Sequence, residues 1–389
     1  MFIFNSKTIF FTLFCTTSLI NSNAWFQLIS LQNLMQKHPE IQYQKCLDPI
    51  SFKYEKFSIL PAYANQGTFH ECFALTIPNG RVQARQGFTF VDNFFINEFV
   101  WADRPDALVI AQQIPINKML KVTGRVAVIT QMAFQSYSHW LNEVLGRLAL
   151  LEMNHISYDW LYTPCDKPFM RETLQLWGIE GNKVLCPSDA NVCVQAEQLV
   201  VPSLVINTDI GFNNHVGLYA NPVTLRYVRE KLLSKALAQP QITAKNFSKR
   251  VFISREDAPW RHMINENEVF QELQKYGFQR YQLSKMSVVD QILLFADAEV
   301  VVGEHGTGLV NIIYCKPETK VFEIFQNLID SSFWYLAQMF HLRYQAIKTK
   351  DFVEEHMTNP IAHFNEYKII WKQNTYVPLA YIQQITQNL

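Results

Sequence analysis

No pair of cysteines has the Cys-x-x-Cys spacing of a zinc or dithiol redox site; the seven lie at 15, 46, 72, 165, 186, 193 and 315. Cys186 and Cys193 are near enough in sequence to pair, but an odd, scattered set reads as mostly reduced thiols. An excess of charge of one sign is also missing. Lys+Arg and Asp+Glu each number 34, so the formal charge is zero and the basic excess of a duplex nucleic-acid binder is absent. With 13 Gly and 16 Pro in 389 residues, collagen-like and low-complexity chains are excluded. The chain carries no Gly-Lys-Ser/Thr of a P-loop, no Gly-x-Ser-x-Gly elbow and no Rossmann Gly-x-Gly-x-x-Gly. An Asp-x-Asp is lacking as well; Asp297-x-Glu299 comes nearest and precedes a strand, away from the ligand edge.

What is present is apolar side chain: 49% hydrophobic residues, among them 29 Phe, 16 Tyr and 8 Trp. That suffices for a packed core, and the length suggests two domains. The only long apolar run follows Lys7, from Ile9 to Ile20, and ends near a small-residue box, Ser22-x-Ala24. As a helix it would span about 18 Å, short of the roughly 30 Å of a bilayer core. Residues 1–24 therefore read as a signal-like segment or as an apolar element of the body, with an anchor the weaker reading. Location follows from that choice: secretory or membrane-associated if the segment is a signal, cytoplasmic otherwise.

Aromatic stretches such as Phe88–Val91 and Phe94–Ile96 read as small antiparallel strands between turn signals. From Arg125 the rhythm changes. Val126–Ile129 is a buried-strand run, and a helix opens at Ser138 with Trp140, Leu141, Val144, Leu145, Leu148 and Leu151 at three- and four-residue steps. Strands and helices then alternate to about residue 347, including a capping-box-like start at Asn265-x-x-Glu268 and a strand over Tyr281–Leu283. The expected domains are 25–215 and 216–350. The Asn- and Gly-rich stretch 207–221 is the linker, and residues 351–389 form a tail packing back on the body.

In such sheets ligands sit beyond the carboxyl ends of the strands. After Val300–Val302 comes Gly303-Glu-His-Gly-Thr-Gly-Leu-Val-Asn311, whose glycines allow positive φ and close approach. The helix after it offers unpaired N–H groups at Gly306, Thr307, Gly308 and Leu309, and His305 can donate to a phosphate or sugar oxygen. Arg255 and Arg261 follow another strand and suit bidentate phosphate binding. Glu323 lies at a third strand tip, within reach of ribose hydroxyls. The plainer readings are a packed His305, an Arg255 pairing with Glu256 or Asp257, and a structural Glu323.

The ordered motifs Ser254-Arg-Glu-Asp-Ala-x-x-Arg261, Asn265-Glu266, Gly277-Phe278, Asp290-Gln291-Ile292 and Gly303-x-His-Gly-x-Gly-Leu-x-Asn311 resemble glycosyltransferase family 61. So does His139-Trp-Leu-x-Glu143-Val-Leu-x-Arg147-Leu. The likeness covers about residues 120–350. It departs at Thr307, where the family commonly has Ala, and at a Pro-Trp insertion before Arg261. The resemblance implies an α/β fold of GT-B type, two Rossmann-like domains facing a cleft, and inverting transfer from a nucleotide-diphosphate sugar, a UDP-sugar, to a glycan or protein hydroxyl. It carries Arg255, Arg261, His305, Gly306, Gly308 and Glu323 as donor-site candidates. The nucleotide-sugar is substrate and no cofactor or metal is expected; no nucleic-acid partner is expected, and membrane association only through the N-terminal segment.

The base is expected on His139 or Glu143, one turn apart; either is able to take the acceptor proton. The plainer reading is a helix-capping His139 and a surface Glu143 paired with Arg147. A non-catalytic nucleotide-sugar or glycan-binding protein on the same fold is the alternative function.

Overall fold

The computed structural model describes residues 27–55, 65–99, 106–207, 219–239, 246–325, 330–349 and 374–389. The apolar segment 1–24, most of the expected linker and the first part of the expected tail lie outside the described residues. No helix among the described residues is long and apolar enough to cross a membrane. The chain divides into two compact units: Met1–Ile50 with His70–Val205, and Ser51–Phe69 with Ile206–Leu389.

The first unit is built on one mixed sheet. Its antiparallel side contains Phe88–Val91 paired with Phe94–Ile96, as their alternation with turns implies. The long strand Val192–Pro202 joins this side to a parallel side, pairing antiparallel with Cys72–Pro78 and Arg81–Gln83 and parallel with Lys118–Val128. Lys118–Val128 in turn pairs parallel with Trp160–Tyr162, which pairs with Val184–Leu185. Parallel neighbours need crossovers, supplied here by the helices Leu145–Met153 and Pro168–Trp177. The second of these has Pro at its start and ends on Gly178 at φ 102°, the asymmetry that a proline's fixed φ and a glycine's left-handed freedom produce.

Two expectations are corrected here. The helix after Lys118–Val128 is not regular: Trp140–Val144 is a π-helical stretch between Tyr137–His139 and Leu145–Met153. The cysteines are not all reduced either. Cys165 and Cys186 are disulfide-bonded, with Cα atoms 5.7 Å apart, while Cys46, Cys72, Cys193 and Cys315 are free. The pairing Tyr162↔Leu185 explains the bond, because it brings the residues just beyond both strand ends side by side.

The second unit is centred on a five-stranded parallel sheet in the order Gln279–Tyr281, Arg250–Ile253, Val300–Glu304, Lys320–Phe325, Arg343–Lys348. In chain order that is 2-1-3-4-5. The connections therefore reverse direction between Arg250–Ile253 and Val300–Glu304, where a crevice opens beyond the strand ends. One sheet face buries Phe252, Val300, Val302, Phe322 and Ile324 against Val269 and Leu273 of the helix Glu266–Gln274 and Ile382 and Ile385 of the helix Leu379–Gln387. The expected Tyr281–Leu283 strand is shifted: the strand stops at Tyr281, and Leu283–Lys285 is a 3-10 turn.

The capping box at Asn265 is not made. Its side chain accepts from the amide of Val377 and donates to the carbonyl of Val377, each at 2.9 Å. With Thr375 N donating to His262 O at 2.8 Å and Ile264 N to Thr375 O at 2.6 Å, residues 374–377 lie as a short parallel strap along 262–265. The amide of a buried Asn is thus spent mainly on a distant backbone, with only a 3.4 Å contact from Nδ2 to Glu268 of its own helix.

Candidate functional site

The reversal point of the second unit brings three predicted residues together. Arg255 follows Arg250–Ile253, and Gly306 follows the neighbouring Val300–Glu304. A Cβ on Gly306 would lie 1.8 Å from Nη1 of Arg255, so the guanidinium lies directly over the glycine Cα. Gly306 is extended, at φ 177°, and neither Gly303 nor Gly308 has positive φ. The expectation of left-handed glycines is corrected accordingly: they supply room. A Cβ on Gly303 would meet Ile253 at 3.2 Å, and one on Gly308 would meet Leu283 at 2.9 Å.

Arg255 does not hydrogen-bond Glu256 or Asp257. Its Nε donates to Arg261 O at 3.2 Å and its Nη2 to Trp260 O at 3.1 Å. Its amide and the Ser254 hydroxyl donate to the two carboxylate oxygens of Glu266, at 3.2 and 2.6 Å, which fixes the turn leaving the strand. Arg261 is buried, in the left-handed region at φ 60°, a backbone state that costs a non-glycine residue energy and concentrates at functional sites. Burial, reinforced by Arg255, brings the Arg261 pKa down to about 10, and burial lowers that of Arg255 too. A buried and a half-buried guanidinium side by side are chemically suited to an anion.

An acid that acts on both arginines is Glu304, which motif reading passed over although it stands between Gly303 and His305. It is buried, its Oε1 has no hydrogen-bond partner among the described residues, and burial pushes its pKa up to about 8 against the pull of Arg255. With its pKa near 8, this carboxyl compensates the arginines less at neutral pH than an ordinary glutamate would.

His305 turns the other way. Its amide donates to Ile324 O at 3.0 Å, and its ring stacks on Phe325 at 5.4 Å. Nδ1 lies 2.5 Å from Oε1 of Glu323, whose Oε2 accepts from the Tyr344 hydroxyl. Glu323 is completely buried with both oxygens engaged, so the expectation that it meets ribose hydroxyls is corrected: it orients His305. Tyr344, on the adjacent strand, carried no sequence signal for this role. Burial holds the imidazole well below its ordinary pKa, with Arg261 and Arg255 adding to the effect, and burial pushes the Glu323 carboxyl well above its own. Both shifts favour the neutral forms of the pair, and Nε2 is the ring nitrogen that Glu323 does not engage.

The turn beyond is a 3-10 helix, Thr307–Tyr314, and not the α-helix start expected. The amide of Leu309 is consumed by Gly306 O at 2.9 Å, and the Leu309 side chain is core. Of the four predicted N–H positions, Leu309 is thereby removed; Thr307 is exposed at the surface of the turn.

In the first unit, His139 Nδ1 is hydrogen-bonded to Oε1 of Glu143. Glu143 is buried and His139 is 24% exposed, so the surface Glu143–Arg147 pair of the plainer reading is not what forms. Arg147 is itself fully buried. It donates to Thr130 O at 2.5 Å and, through Nε and Nη2, to Pro202 O at 3.0 and 2.5 Å, tying the ends of the two central parallel strands together. Burial brings its pKa down to about 9, opposed by Glu143. Trp140 and Leu141 are core. Among the described residues no group of three His, Cys, Asp or Glu is placed to hold a metal ion.

Residues 137–322 match the family model described as Glycosyltransferase 61. Over this stretch the chain is similar to glycosyltransferase family 61. The family 61 region includes His139, Glu143, Arg255, Arg261 and the 303–309 turn, and stops one residue short of Glu323. A beta-1,2-xylosyltransferase of Arabidopsis thaliana is 34% identical over 25% of this chain and 22% of its own length. An EGF domain-specific O-linked N-acetylglucosamine transferase of Drosophila melanogaster is 24% identical over 50% of this chain and 38% of its own. A second beta-1,2-xylosyltransferase, of Oryza sativa subsp. japonica, is 30% identical over 25% and 22%. The chain thus spans well under half the length of these curated relatives.

Proposed function

We propose that this chain is an inverting, metal-independent glycosyltransferase that moves a sugar from a nucleotide-diphosphate donor, a UDP-sugar, to a hydroxyl of a glycan or protein. One observation carries the reading: the Arg255 guanidinium lies over Gly306 at the reversal point of a parallel sheet, with buried Arg261 bonded to it through its carbonyl. In this proposal the fold is of GT-B type, with two Rossmann-like domains.

The leaving pyrophosphate develops negative charge as the anomeric C–O bond breaks. Arg255 and Arg261 meet that charge, and His305 Nε2–H donates to a phosphate or sugar oxygen, all pre-organised before the reaction. The acceptor oxygen attacks the anomeric carbon from the opposite side, which inverts it. Its proton passes to His139, and the resulting imidazolium is stabilised by Glu143 on Nδ1. Glu323 and Glu266 are positioning residues for His305 and for the Arg255 turn. The Cys165–Cys186 bond favours an oxidising compartment, and with the apolar leader we place the chain on the secretory route.

Thermal denaturation of the full chain against UDP, GDP and CMP sugars, with and without EDTA, tests the reading. The expected result is a rise in Tm with a UDP-sugar, unchanged by EDTA, because a ligand bound only by the native state stabilises it by mass action. No shift with any nucleotide overturns the donor site, and a shift abolished by EDTA overturns metal independence.

A further inference from the structure

Five buried side-chain polar atoms of the first unit have no hydrogen-bond partner among the described residues, Gln83 Oε1, Glu98 Oε2, Gln131 Nε2, Asn142 Oδ1 and Thr163 Oγ1, and the last three lie near His139. Those three belong to one edge of the fold. Gln131 comes three residues after Lys118–Val128, and Thr163 directly follows Trp160–Tyr162, the next strand, in register Tyr162↔Val128. Asn142 lies one turn from His139, inside the π-helical stretch over those strand ends; such stretches recur at functional sites. Arg147 holds that helix to the strand end through Thr130 O.

A buried polar atom without a partner keeps its full desolvation penalty, so three at one edge are a standing cost that a ligand removes. Their chemistry names its class. Gln131 Oε1 already accepts from Ala133 N at 2.6 Å, which leaves the amide N–H₂ as a donor. Asn142 Oδ1 accepts, and a threonine hydroxyl does both. An alternation of neutral donors and acceptors matches sugar hydroxyls. It does not match a phosphate: the guanidinium of Arg147 donates to backbone carbonyls.

We infer that Gln131, Asn142 and Thr163 form the binding site for a neutral sugar of the acceptor, beside His139. This rests on the proposed glycosyl transfer, and the test separates the two. Saturation-transfer NMR on the full chain, with methyl glycosides of glucose, N-acetylglucosamine, galactose, mannose and xylose as probes, is expected to detect at least one. Asn142→Leu and Thr163→Val should weaken that glycoside by about tenfold or more with Tm unchanged or raised, since apolar isosteres of unsatisfied groups are near neutral. Thr163→Ser should retain it, and UDP-sugar binding should be untouched in all three. If no glycoside binds, or if the Leu and Val variants bind as the wild type does, the atoms serve ordered water only and the sugar site is overturned. That outcome holds whether or not a nucleotide binds, and loss of nucleotide binding alone overturns only the transferase reading.

Discussion

The His139–Glu143 pair is made within one helical turn, whereas the His305–Glu323 pair is made between neighbouring strand ends eighteen residues apart. In both, a buried carboxyl group holds Nδ1 and so decides which nitrogen is left. The surroundings then separate them. Burial disfavours a second proton on the His305 ring, and two guanidiniums add to that. His139 has Glu143 against it, and the one buried guanidinium of that helix, Arg147, is drawn to backbone carbonyls. In the proposed reaction the same two residue types take opposite tasks, donation at one site and proton acceptance at the other.

The sharpest way to break that contrast is to remove the room on which the cationic site depends. Gly306→Ala places a methyl group where Arg255 Nη1 now lies, 1.8 Å from the new carbon. We expect kcat/KM to fall by about 10²–10³-fold, the scale of losing one pre-organised stabilising group, with the circular dichroism spectrum unchanged. Full activity in this variant would detach Arg255 from the reaction. A smaller effect sharpens the comparison directly. Glu143→Gln should lower kcat about 10²-fold and leave donor affinity alone, since it acts through the base. Glu323→Gln should weaken donor binding about tenfold with a lesser effect on the chemical step. Reversed phenotypes would exchange the roles of the two histidines.

The smallest effect is on pH dependence. The Glu304 carboxyl, facing Arg255, Arg261, Glu266 and Thr375, has its pKa raised to about 8 in the folded chain. A raised pKa contributes stability that is fully present below the unfolded value near 4.5 and is lost as pH rises through about 8. Between pH 5 and 8.5 the wild-type Tm should therefore fall more steeply than that of Glu304→Gln, measured by calorimetry. Equal slopes would show that Glu304 ionises normally and shields the arginines.

Much of the second unit was legible in the sequence, because buried parallel strands are short apolar runs and their helices carry local caps. Ser287, for example, accepts from Asp290 N at 3.1 Å as its spacing implies. The departures share a cause. Asn265 has the spacing of a capping residue, yet bonds Val377, 112 residues away. The 303–308 glycines have the look of a flexible turn, yet are there because Arg255, Ile253 and Leu283 press on them. Glu323 reads in the sequence as a strand tip, but the strand runs on to Phe325 and Tyr344 from the next strand bonds its carboxyl group. Cys165 and Cys186 have no telling separation, and only the strand register brings them together.

By itself the sequence determined where strands and helices lie, that the sheet is parallel, and which motifs stand at its carboxyl edge. Those features depend on periodicity, caps and turn chemistry, which act within a few residues. Tertiary structure alone decided which arginine lies over which glycine, which histidine nitrogen each carboxyl group holds, and which polar atoms are left without a partner. Charge state and hydrogen bonding inside a protein are set by neighbours brought from far along the chain, and no local pattern records them.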